Sequence, residues 1–74
     1  VSIGQLEAEV SRRGLSPIEV EVVGTRDPVI VRIWCDLGGE RLMTQDVVSM
    51  AEVEPTKEAL AGVWLRWLAY EDEP

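Results

Sequence analysis

The chain has 74 residues, with 14 acidic against 7 basic side chains, a net charge of −7, no histidine and one cysteine. A length of this order sustains one hydrophobic core, so residues 1–74 read as a single domain. The charge argues against direct binding of nucleic acid, which needs a cationic surface to displace phosphate counterions. No apolar run approaches the ~20 residues that a membrane helix requires.

The missing histidine removes the commonest general base and the commonest metal ligand, so neither a catalytic residue nor a metal or cofactor site is expected. A lone cysteine forms no internal disulfide, which suits a reducing compartment. The opening VSIGQLEAEV is acidic and lacks the basic and apolar parts of a signal peptide, which points to the cytoplasm. The absence of asparagine and the preference for arginine over lysine point to a GC-rich bacterial genome.

The first element is a helix from about Ile3 to Arg13. Ser2 and Gln5 have capping-box spacing, which satisfies backbone donors at the start of the helix. Gly14 suits the left-handed position after the last turn, and Leu15 falls where a Schellman motif packs its following residue. The apolar face is thin, Ile3, Leu6 and Val10, so this helix should cover an edge of the core. Arg12 and Arg13 complement the negative end of the helix dipole.

Ile18 to Val22 alternates apolar and acidic residues, the mark of a half-buried strand, and Gly24 to Pro28 is a turn. Val29 to Cys35 is β-branched and apolar on both sides of the alternation, so it should be the central strand. A hairpin that puts Ile18, Val20 and Val22 on one face with Val29, Val31 and Ile33 also sets Arg32 opposite Glu19 or Glu21. Gly38-Gly39 signals a two-residue primed turn. Folding there pairs Asp36 with Arg41, Cys35 with Leu42, Trp34 with Met43 and Ile33 with Thr44. The third strand begins at Glu40 and reaches about Ser49, or gives way within residues 44–52 to a short helix.

The last element, Thr56 to Tyr70, is a helix carrying Leu60, Val63, Trp64, Trp67 and Leu68 on one face. Aromatic residues at helical spacing belong to a core, so Trp64 and Trp67 are expected inside. The acidic tail, residues 71–74, meets the negative end of the helix dipole and should fray. The whole reads as an α+β domain of order α-β-β-β-α, a three-stranded antiparallel meander packed against the C-terminal helix.

Two surfaces are left over. The sheet face opposite the helices carries Val23, Ile30, Trp34 and Met43 between Glu19, Glu21, Arg32 and Gln45, an apolar strip that needs a cover from within the chain or from another protein. The last helix presents Ala61, Leu65 and Ala69 beyond its main face, so either the first helix crosses it or another chain does. Ile30, Trp34 and Met43, with Ala61 and Leu65 as the competing surface, are therefore the candidate interface residues. Cys35, among apolar neighbours and without a histidine to activate it, reads as a structural thiol.

The functional expectation is a non-enzymatic protein–protein interaction module, as a homodimer or as a subunit or regulator of a larger assembly. An alternative is an acidic decoy for a nucleic-acid-binding protein, using Glu52, Glu54, Glu58 and residues 71–73. A third is an enzyme whose carboxylates meet in a dimer groove, which requires a concave site holding an acid of raised pKa.

Overall fold

A computed structural model describes residues 1–71 and shows α1 (Ile3–Arg12), β1 (Glu19–Val23), β2 (Val29–Leu37), β3 (Glu40–Val48), a 3-10 turn at Met50–Glu52 and α2 (Val53–Glu71). The strands form one antiparallel sheet in the order β1-β2-β3, so the domain is an α+β meander between two helices. The expectation of a frayed tail falls on residues 72–74, outside the described residues, apart from Glu71, which still belongs to α2.

The ends of α1 follow its sequence closely. The Ser2 hydroxyl accepts from the Gln5 amide at 3.2 Å, and the Gln5 side chain accepts from the Ser2 amide at 2.8 Å, completing the capping box. At the other end the amides of Gly14 and Leu15 donate to the carbonyls of Ser11 and Val10, the paired bonds of a Schellman motif, with Gly14 at φ 69°. The chain thereby reverses towards β1, and Leu15 packs against the core.

The sheet register is the one the pairing of charges and apolar residues calls for. Arg32 lies opposite Glu21, and every pair expected across the Gly38-Gly39 turn, from Asp36 with Arg41 to Ile33 with Thr44, is present. Both glycines of the turn have positive φ, as a primed turn needs. Of the two alternatives for 44–52 the strand holds: β3 continues to Val48, no helix opens at Thr44, and a single 3-10 turn at Met50–Glu52 then leads into α2. There the Met50 amide donates to Asp27 Oδ1 at 2.6 Å, tying this connection to the turn between β1 and β2.

Helix α2 begins three residues earlier than the sequence suggests, with Pro55 inside its first turn, where the missing N–H has no helical partner to lose. Its inward face also differs. Thr56, Leu60, Ala61, Gly62, Trp64 and Leu68 are buried, whereas Trp67, expected in the core, is 43% exposed and meets Trp64 edge-on at 5.2 Å. The cause is the position of α1, which packs chiefly on α2. Ala61 and Gly62 are both buried on α2, and Val1, just before α1, packs beside Gly62. Burial is drawn towards that side of α2, and Trp67 is turned to the rim.

The core is built from Leu6 and Val10 of α1, Val31, Ile33 and Cys35 of β2, and Leu60, Ala61, Trp64 and Leu68 of α2. Trp64 is fully buried, and its indole donates to Thr44 Oγ1 at 2.9 Å, which fixes α2 over β2 and β3. The expectation that the whole inner face of the sheet would be covered fails at β1. Val20 and Val22 share that face with Ile33 and Val31 but remain open, because the narrow apolar stripe of α1 is spent on α2.

Candidate functional site

Alternation along β2 sends Ile30, Arg32, Trp34 and Asp36 to the side away from the helices, since Val29, Val31, Ile33 and Cys35 are the buried set. The register adds their cross-strand partners and makes a face of four rows. These are Val23, Ile30 and Val47; then Glu21, Arg32 and Gln45; then Glu19, Trp34 and Met43; then Asp36 and Arg41. Among the described residues no core cluster includes this side, so the domain is two layers thick with one sheet face bare.

The polar groups on this face satisfy one another. Trp34 Nε1 donates to Glu21 Oε1 at 2.6 Å, and Arg32 Nε donates to Gln45 Oε1 at 3.0 Å while its guanidinium lies 3.8 Å from Glu21. Arg41 bridges Glu19 at 2.9 Å and Asp36 at 3.7 Å, and its guanidinium also sits 5.1 Å from the centre of the Trp34 ring. The Trp34 indole thus contacts both an acid and a cation, while Val23, Val47 and Met43 show open apolar surface. Although the chain is strongly acidic, these rows hold three carboxylates against two guanidiniums.

The sequence candidates separate on this geometry. Ile30, Trp34 and Met43 lie on the bare face, and Ile30 and Trp34 are half-buried by their sheet neighbours. Ala61 does not belong to any open surface, because α1 covers it and its exposure is 0%. Leu65 is half-buried against the core, at the edge of a groove shared with Gln5, Ala8, Glu9, Arg13 and Ala69 of the two helices. Val47 is an exposed apolar residue missing from the sequence candidates, although the register of the Gly38-Gly39 turn, carried along a strand reaching Ser49, already sets it opposite Ile30.

The remaining chemistry is modest. Glu9 accepts from Arg12 at 2.9 Å and from Arg13, and these bonds hold its carboxyl below the usual range. Burial pushes the Cys35 thiol up, reinforced by the Asp36 charge and opposed by Arg41, so little nucleophilic thiolate forms near neutrality. Glu52, Glu54 and Glu58 are exposed around the start of α2, and Glu54 pairs with Lys57 at 3.1 Å. Among the described residues no three of Cys, Asp and Glu gather as a metal site, and no helix is long and apolar enough to cross a membrane.

Comparisons with protein families, with curated proteins and with solved structures returned no match.

Proposed function

We propose that the domain is a non-enzymatic protein–protein interaction module that self-associates through its bare sheet face. The observation that carries this reading is the row geometry: Val23, Ile30, Val47, Trp34 and Met43 form apolar surface on a face whose charges are already paired within the same copy. A second copy can therefore approach without leaving a charge unpaired, a cost that would otherwise oppose burial. The near balance of charge on this face also makes it the place where an acidic chain meets its own kind with least repulsion.

Three strands of this length span roughly 14 by 30 Å, so stacking two such faces covers on the order of 400 Å² of projected surface per copy. That lies towards the small end of specific interfaces and implies a dimer that dissociates on dilution. Light scattering across a dilution series should give a mass moving from two copies to one, and Trp34→Glu should give one copy throughout with an unchanged circular dichroism spectrum. A parent protein that is monomeric at every concentration overturns self-association. Strong binding to a basic nucleic-acid-binding protein that salt abolishes and Trp34→Glu leaves intact would favour the acidic-decoy reading.

A further inference from the structure

The sheet has a second unsatisfied feature, on its β1 side. β1 is an edge strand of five residues with no proline, lysine or bulge to discourage a new neighbour, and an edge strand offers unpaired backbone N–H and C=O groups. Below that edge Val20 is 37% exposed and Val22 is 43% exposed, on the face where the neighbouring strand β2 is buried. Next to them a groove of about 300 Å³ runs between α1 and the approach to β1, lined by Glu7, Val10, Ser11, Leu15, Pro17 and Ile18. On the other side of the same strand stand Glu19 and Glu21, whose side chains keep 65% and 43% of their surface exposed despite their arginine partners.

We infer that β1 is a docking edge for an extended segment of another protein in which apolar residues alternate with basic ones. Such a segment adds a fourth strand to the sheet through backbone hydrogen bonds. Its alternation then matches that of β1: the apolar side chains fall beside Val20 and Val22 and reach the groove at Val10, Leu15 and Ile18, while the basic side chains fall beside Glu19 and Glu21. Charge selects this occupant over a second copy. Full-length antiparallel pairing of β1 with itself, the register that makes most hydrogen bonds, sets Glu21 against Glu21 in a chain that already carries −7. This edge shares Glu19 and Glu21 with the bare face, but Val20 and Val22 lie on the opposite side of the sheet, so variants at those two positions leave the self-association face untouched.

The test uses the whole chain and three fluorescent hexapeptides, alternating valine with lysine, threonine with lysine, or valine with glutamate. Anisotropy at low salt should show the valine–lysine peptide binding at least tenfold more tightly than either control. Val20→Lys and Val22→Lys, both at exposed positions, should weaken that binding at least tenfold while leaving the circular dichroism spectrum and thermal midpoint in place. Val47→Glu, on the bare face but on the far strand β3, should leave it unchanged. Equal binding of the threonine–lysine peptide would reduce the effect to charge attraction and overturn the proposal. So would binding that survives both lysine variants but disappears in Val47→Glu, or self-association that those lysine variants abolish.

Discussion

Val31 and Val22 are partners across β1 and β2, point to the same side of the sheet and are the same residue type among apolar neighbours on that side, yet Val31 is 0% exposed and Val22 is 43% exposed. The difference lies outside both strands. Over β2 and β3 stands α2, pinned by the Trp64 to Thr44 hydrogen bond, with apolar side chains that reach the sheet. On the β1 side the available cover is α1, whose few apolar residues are engaged by α2. A strand's alternation thus fixes which way a side chain points, and a different element decides whether anything is there to meet it.

Removing the pin is the most damaging way to break this asymmetry. Trp64→Ala deletes the largest fully buried side chain and leaves Thr44 without its indole donor, so a loss of about 3–5 kcal/mol is expected in urea unfolding. A sharper comparison comes from truncating the two partners. Val31→Ala should lose about 2 kcal/mol, and Val22→Ala less than about 0.5 kcal/mol. Equal losses measured where the protein is monomeric would mean that β1 is roofed after all.

The smaller effects concern α1, the cover that stops short. Gly14→Ala places a side chain at φ 69° in the Schellman turn and should cost about 1 kcal/mol by thermal or chemical denaturation. Arg13 pairs with Glu9 and donates to the Leu68 carbonyl at 3.4 Å, which links α1 to α2. Because the Glu9 carboxyl is held below its ordinary value in the fold, its contribution is present above the unfolded-state value and is lost as pH falls through the folded one. Glu9→Gln should therefore be less stable than the parent at neutral pH, and the two thermal midpoints should converge as pH falls through the folded-state value.

Much of this fold is legible in the sequence because its signals are local. Ser2 with Gln5, Gly14 with Leu15, and Gly38-Gly39 with the charges on either side each specify a geometry within a few residues. The candidate site was legible in part: alternation put Ile30, Trp34 and Met43 on one side of the sheet. Ala61 was misplaced, and Val20, Val22 and Trp67 were assigned to the interior, because periodicity gives a direction along one element and carries no information about which neighbour occupies it.

The sequence by itself determined the order of the elements, the strand register and the two faces of the sheet, since capping, turn chemistry and pairing act between residues that the chain brings together early. Only the tertiary structure decided which of those faces is covered. The packing of α1 on α2 draws both helices towards one another, buries Ala61 and Gly62 where they touch, turns Trp67 to the rim and leaves β1 and the outer sheet face open. That choice depends on how two helices compete for the same apolar surface, a balance set by the shapes of both and written in neither segment alone.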